Sequence, residues 1–261
     1  MQIYLHLCDP DTTFDLDDYT DINGLRVIGG KDEIPVSYTF PYLCVDRNGL
    51  SLVSPTEDKA APTRVDFLDA RLAYRLETSR RSDGLPKAVG LDKSPDSLSV
   101  LDCTAGMGVD AYILAAMGCD VVMLEKNPLM AALLRDGLNR ATPGRNSQLK
   151  ATMQRLSFIH IDAHQYLDNP ASIPDVIYLD PMFPVRQKSA RVKKDMALMQ
   201  QFLEPNQDVD VLMTRALAVA DRRVVLKRPG KPDRKASLPN GRKPDFQVPG
   251  KACHFQVYIK V

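Results

Sequence analysis

Long apolar runs are missing from this chain of 261 residues. No window approaches about 18 uninterrupted apolar residues, which argues against a membrane-spanning helix. The opening Met1-Gln2-Ile3-Tyr4-Leu5-His6 has neither the basic region nor the long apolar stretch of a secretory signal, so the expected compartment is the cytoplasm, with no membrane partner. Cysteine is scarce and unpatterned: Cys8, Cys44, Cys103, Cys119 and Cys253 are odd in number and widely spaced, and no two form a Cys-x-x-Cys pair. Neither a disulfide framework nor a zinc site is expected from that pattern. Cys103 and Cys119 lie among apolar residues and read as small core fillers. His6, His160, His164 and His254 share no ligand spacing, so no metal is expected.

Net charge is also small, 34 Lys and Arg against 33 Asp and Glu, yet it is unevenly spread. Residues 1 to 62 hold 4 Lys/Arg against 11 Asp/Glu, whereas residues 183 to 261 hold 17 against 7. A basic end can hold a polyanion, although charge runs are also ordinary solvated surface. With 44% apolar residues the chain can fill a sizeable core.

Two Asn-Gly pairs, Asn23-Gly24 and Asn48-Gly49, stand beside β-prone residues, and each predicts a hairpin. Phe67, Leu68, Leu72 and Leu76 recur near helical spacing among Arg64, Arg71, Arg75, Arg80 and Arg81, predicting a short basic helix. The polar stretch Asp92-Lys93-Ser94-Pro95-Asp96 reads as a linker, dividing a small α+β region, 1–92, from a main domain, 93–261.

From Leu98 onward, strands and helices alternate. Strands are expected at 99–102, 121–125, 158–161, 176–180 and 224–227, with helices near 109–117, 129–140, after 163 and between 195 and 220. This alternation implies an α/β fold whose parallel sheet is covered on both faces, with a ligand site at the carboxyl ends of its strands. Asp245-Phe246-Gln247-Val248 and His254-Phe255-Gln256-Val257-Tyr258-Ile259, separated by Pro249-Gly250, predict a closing antiparallel hairpin.

Acidic residues stand at the ends of three of those strands. Asp102 leads into Cys103-Thr104-Ala105-Gly106-Met107-Gly108-Val109-Asp110, where the glycines allow a ligand close to the backbone. A dinucleotide site would continue Gly-x-Gly-x-x-Gly, but Ala111 follows Gly108, so the fingerprint is absent. Glu125, 23 residues after Asp102, is placed to accept hydrogen bonds from the ribose hydroxyls of a nucleoside. Asp162 can orient an adenine amino group. Each acid could also merely cap a helix. Three together at one crevice point instead to an adenosyl cofactor, and a terminal hairpin on a parallel sheet favours S-adenosylmethionine over a nicotinamide. The expected architecture is thus the Rossmann-like, mostly parallel seven-stranded sheet of class I methyltransferases.

The fourth strand runs into Asp180-Pro181-Met182-Phe183-Pro184, which resembles the Asp/Asn-Pro-Pro-Tyr/Phe loop of enzymes that methylate exocyclic amines of bases. Such an amine is a poor nucleophile, so its protons must be accepted while nitrogen and methyl carbon are aligned. Asp180 and the carbonyls of a loop stiffened by Pro181 suit that task, and Phe183 offers a stacking face. Arg186, Lys188, Arg191, Lys193 and Lys194 place five positive charges in nine residues, and Lys227-Arg228 closes the next strand. Phosphate contacts of that kind position a nucleic acid.

Taken together, Leu85-Pro86-Lys87-Ala88-Val89-Gly90, the 102–111 loop, Met123-Leu124-Glu125-Lys126-Asn127-Pro128, Tyr178 to Pro184 with Gln187-Lys188-Ser189-Ala190, and Val225-Leu226-Lys227-Arg228-Pro229 closely resemble the ribosomal RNA small subunit methyltransferase J family over about residues 60 to 261. The resemblance implies S-adenosylmethionine-dependent methylation of guanosine N2 in small-subunit ribosomal RNA, free or in the assembled subunit. It also implies a cofactor held at Val109-Asp110, Glu125-Lys126, Asp162-Ala163 and Asp180. Val109 departs from the Arg usual in the family, and Asp162-Ala163 from small hydroxyl residues. Other readings remain open: the same chemistry on adenine N6 or a glutamine side chain, or a catalytically silent RNA-binding protein.

Overall fold

The structure is a computed structural model describing residues 3–8, 22, 24–30, 33–35, 37–38, 41–53, 62–94, 97–142, 147–181 and 209–260. Four short strands come first: β1 (Ile3–Leu7), β2 (Leu25–Ile28), β3 (Tyr42–Asp46) and β4 (Gly49–Val53), in the order β2-β1-β3-β4. The Asn48-Gly49 turn joins β3 and β4 as an antiparallel hairpin, with Gly49 at φ 101°. The partner strand of the second expected hairpin lies outside the described residues; among those described, β2 pairs in parallel with β1. Parallel pairing needs a long connection rather than a two-residue turn, and residues 8 to 24 supply it.

β1 also pairs in parallel with β3, His6 opposite Cys44. That adjacency overturns the expectation of no disulfide: Cys8 and Cys44, 36 residues apart in sequence, come to a Cα separation of 6.3 Å and are bonded. Cys103 and Cys119 are free and buried, as small core fillers would be.

The main sheet holds β5 (Ser99–Asp102), β6 (Asp120–Glu125), β7 (Leu156–His160), β8 (Val176–Leu179), β9 (Arg223–Pro229), β10 (Phe246–Pro249) and β11 (Cys253–Ile259), ordered β10-β11-β9-β8-β5-β6-β7. β11, inserted between β9 and β10, runs antiparallel to both, and the remaining pairs in this sheet are parallel. The chain leaves β5 toward β6 and β7, then returns to β8 on the other side of β5, which opens a crevice at their carboxyl ends.

Helices α1 (Ala70–Thr78), α2 (Gly84–Val89), α3 (Val109–Ala116), α4 (Pro128–Ala141), α5 (Ser147–Met153), α6 (Ala163–Asp168) and α7 (Val209–Val219) surround the sheets. Local chemistry explains their starts. Asp69 caps α1 by accepting from Arg71 N–H, and Asn127 caps α4 ahead of Pro128 by accepting from the N–H groups of Leu129 and Met130.

Alternation along the strands divides the core. Val100, Val121, Met123, Tyr178 and Val225 pack on one face with α2, α3, α4 and the first sheet, while Leu101, Leu124, Ile177, Leu179, Val224 and Leu226 pack on the other with α6 and α7. The first face is continuous with Leu5, Leu43, Leu50, Val65 and Phe67 of the N-terminal region. No helix among the described residues is long and apolar enough to cross a membrane.

Candidate active site

Asp102, Glu125 and Lys227 share the strand parity of Val100, Met123 and Val225, so all three reach the same face of the sheet at its carboxyl edge. They line a cleft of about 810 Å³ together with Arg75, Thr104, Gly106, Val109, Asp110, Lys126, Asp162, Ala163, Tyr178 and Asp180. Every residue expected to hold the cofactor except Gly108 therefore lines one cavity, and Gly108 lies directly behind it. The two glycines play different parts. Gly106, at φ 53°, has only the Thr104 carbonyl oxygen, 3.9 Å away, near the place a Cβ would occupy, so it leaves the cradle open. Gly108, at φ 71°, caps α3, and a Cβ there would lie 2.8 Å from Leu134 Cδ1. The first glycine admits a ligand and the second admits the core.

Glu125 ties the loop to the strand end. Its Oε2 accepts from Gly106 N–H at 2.9 Å and its Oε1 from Asn127 N–H at 2.8 Å. Burial raises its pKa, opposed by those N–H groups. Asp102 accepts from Thr104 N–H at 3.0 Å and is 2% exposed. Burial, with Asp110 and Asp180 nearby, pushes its pKa up to about 8, against the N–H of Thr104 and the charge of Lys227. Asp162 caps α6 by accepting from His164 N–H at 2.7 Å while also lining the cleft.

The cleft also holds a polar network. Asp110 Oδ2 accepts from Tyr178 Oη at 2.7 Å and from Lys227 Nζ at 2.7 Å, and its Oδ1 accepts from Arg75 at 3.2 Å. Lys227 Nζ also donates to Asp180 Oδ2 at 2.6 Å, and the Asp180 N–H donates to Thr104 Oγ1 at 2.6 Å. Burial works to raise the Asp110 pKa, but Lys227, Tyr178 and Arg75 outweigh it and hold that carboxyl below its ordinary value. Asp180 goes the other way: burial raises it, Lys227 opposes and Asp110 adds to the rise. Between its two carboxylates, Lys227 is pushed up despite burial.

Lys227 thus corrects an expectation. Its ammonium is committed to two carboxylates inside the cleft, an employment different from a phosphate contact on the surface. Arg228, next in the strand, has the opposite parity and lies on the far face, within electrostatic reach of Tyr258 and Asp210. Pro181 is buried directly after Asp180. Phe183 and the basic residues Arg186, Lys188, Arg191, Lys193 and Lys194 lie outside the described residues. Arg75, Thr104 and Tyr178 belong to the site although sequence reasoning did not single them out. Tyr178 carried a signal, a hydroxyl two residues before Asp180 and therefore of the same parity on a wholly buried strand.

Comparison with known proteins agrees with this geometry. The SAM_MT family model, described as an SAM-dependent methyltransferase, matches residues 36–260. Ribosomal RNA small subunit methyltransferase J of Thioalkalivibrio sulfidiphilus is 45% identical over 220 residues, covering 83% of this chain and 84% of that protein. The chain belongs to the ribosomal RNA small subunit methyltransferase J family. Its namesake from Pseudoalteromonas atlantica is 44% identical over 217 residues, covering 80% of this chain and 81% of that one. The SAM-dependent methyltransferase NGO1261 of Neisseria gonorrhoeae shares the fold with a TM-score of 0.71 and 28% identity, over 98% of this chain and 95% of that chain.

A member of this family requires S-adenosylmethionine, and the residues present fit it. The Gly106 cradle is open where a side chain would intrude, and Glu125 and Asp162 stand along the same cleft at the ends of β6 and β7. An anionic acceptor beside a buried cation, Asp180 with Lys227, stands at the end of β8.

Proposed function

We propose that this protein methylates the exocyclic N2 of one guanosine in small-subunit ribosomal RNA, yielding N2-methylguanosine. The observation that carries this reading is Asp180, at the carboxyl end of β8, its backbone tied to Thr104 and its carboxylate to Lys227 at 2.6 Å. The names of the relatives supply the substrate class.

S-adenosylmethionine supplies an electrophilic methyl group when bound. Glu125 would accept from its ribose hydroxyls and Asp162 from its adenine amino group, with the backbone around Gly106, Val109 and Asp110 and the residues Lys126 and Ala163 lining the space it would occupy. Asp180 and the Pro181 carbonyl accept hydrogen bonds from the N–H groups of the guanine amine and orient its nitrogen toward the reacting carbon. Phe183 stacks on the base. No strong base is needed, because an alkylated ammonium on a base ring is acidic and releases its proton to water. Arg186, Lys188, Arg191, Lys193 and Lys194 grip the phosphates, and Arg228 supports that edge, while Lys227 serves the cleft. The reaction belongs to the cytoplasm, on free ribosomal RNA or the assembled small subunit.

The test is transfer of labelled methyl to small subunits lacking the modification, followed by nucleoside analysis. Label is expected in N2-methylguanosine, and Asp180→Ala should keep the fold yet lose turnover. Near-normal turnover by that variant, or label in another nucleoside, refutes the assignment.

A further inference from the structure

The Lys227 ammonium is held more firmly than an ordinary surface lysine. Its anchor, Asp110, is itself fixed by Tyr178 at 2.7 Å and Arg75 at 3.2 Å, so the cation has a defined position from which to meet Asp180. The Asp180 backbone is pinned separately by Thr104. One oxygen receives the ammonium, and a carboxylate has about four lone-pair sites, so acceptor capacity remains for a substrate. The Asp180 side chain is 37% exposed, open on the side of the cleft.

We propose that Lys227 is a positioning residue for the transfer and the selector of guanine over adenine: paired with Lys227, Asp180 stays a pure acceptor, and guanine brings two donors, N1–H and N2–H, to such a group. This rests on the guanine-N2 reading above and deepens it. An ionised carboxylate only accepts, whereas a protonated one both donates and accepts. The adenine edge, an N6 donor beside an N1 acceptor, matches the protonated acid and is repelled by the carboxylate. The charge state of one group therefore decides which base edge fits.

That charge state depends on Lys227. Asp180 is faced by Asp102 from β5, Asp110 from α3, Tyr178 from β8 and Cys253 from β11, with Arg75 of α1 acting through Asp110. Asp110 and burial both favour the protonated form of Asp180. Lys227 is the cation bonded to Asp180 that opposes them.

The experiment uses the full-length protein with saturating S-adenosylmethionine and small subunits lacking the methyl group. Single-turnover rates are measured against pH for wild type, Lys227→Met, Lys227→Gln and Lys227→Arg, with cofactor affinity followed by calorimetry. Lys227→Met should lose roughly 10²-fold in rate near neutral pH. The acidic limb of its profile should move to higher pH, cofactor affinity should change by less than about threefold (under 1 kcal/mol), and Arg should restore most of the rate and the profile. If the Met variant does not fold, Gln against Arg gives the same comparison. A rate within about threefold of wild type, or a loss equal at every pH and not rescued by Arg, overturns the proposal. Wild-type protein that makes no N2-methylguanosine refutes the functional reading itself, a result distinct from any behaviour of the variants.

Discussion

Gly106 and Gly108 stand two residues apart in one loop, and their Ala variants should fail in different ways. Both have positive φ, 53° and 71°. An L side chain in that region costs about 1–2 kcal/mol. At Gly106 nothing further is added, because the new methyl would meet only the Thr104 carbonyl oxygen at 3.9 Å. At Gly108 the methyl would lie 2.8 Å from Leu134 Cδ1 and 3.1 Å from Phe67 Cζ, inside the buried core. Overpacking of that kind adds about 1–3 kcal/mol. Gly108→Ala should thus lose about 2–5 kcal/mol, and Gly106→Ala about 1–2 kcal/mol. In a chain of this size each kcal/mol lowers Tm by roughly 2–4 °C, so thermal unfolding without cofactor resolves the two. Calorimetry with S-adenosylmethionine should reverse the ranking. The Gly106→Ala methyl enters the open cradle and should weaken cofactor binding at least about tenfold, or 1.4 kcal/mol; Gly108→Ala, on the core side, should bind nearly as wild type wherever it is folded. If Gly106→Ala binds cofactor normally, or if Gly108→Ala is the more stable of the pair, the division of labour between the glycines is wrong.

Other expectations follow from the same geometry. Asp102 has its pKa raised to about 8 in the folded protein. The folded state therefore holds a proton that the unfolded chain releases near pH 4, and stability should fall as pH rises between about 4 and 8, by up to about 1.4 kcal/mol per pH unit. Denaturant titrations of the cofactor-free protein at pH 5 and pH 8 should show this slope in wild type and its loss in Asp102→Asn; equal slopes would refute it. Glu125→Gln replaces one of two acceptors by an NH2 that opposes the N–H of Gly106 or Asn127. It should cost about 1–3 kcal/mol of stability and weaken cofactor binding, both measurable on one preparation, and unchanged values for both would show that neither contact matters. Cys44→Ser removes a bond closing 36 residues of sequence separation and should cost roughly 4 kcal/mol. Dithiothreitol should lower the Tm of wild type to that of the variant, and a wild type indifferent to reductant would contradict the bond.

Much of the site is legible because strand ends in a parallel sheet are a local feature with a global consequence. Asp102, Glu125, Asp162 and Asp180 each follow a β-prone run, and strands that all point one way must bring such residues to one edge. The terminal hairpin is equally local, with Pro249 ending β10 and Gly250 opening the turn into β11. Where the partner is distant, local signals fail. Nothing local in Leu25–Ile28 announces its parallel pairing with Ile3–Leu7. The Cys8–Cys44 bond has no spacing signature because it reflects the adjacency of β1 and β3.

Lys227 and Arg228 mark the boundary most clearly. By themselves the residues determine the α/β alternation, the acids at the strand ends, the open glycine loop and the opposite facing of two neighbouring cations, since each is written in a period or a turn a few residues long. Which of those cations enters the cleft, and what it meets there, was decided by tertiary structure. Asp110, Asp180 and Lys227 come from the first turn of α3, the end of β8 and β9, separated by 70 and 47 positions, and only the tertiary meeting of those three places puts an ammonium between two carboxylates.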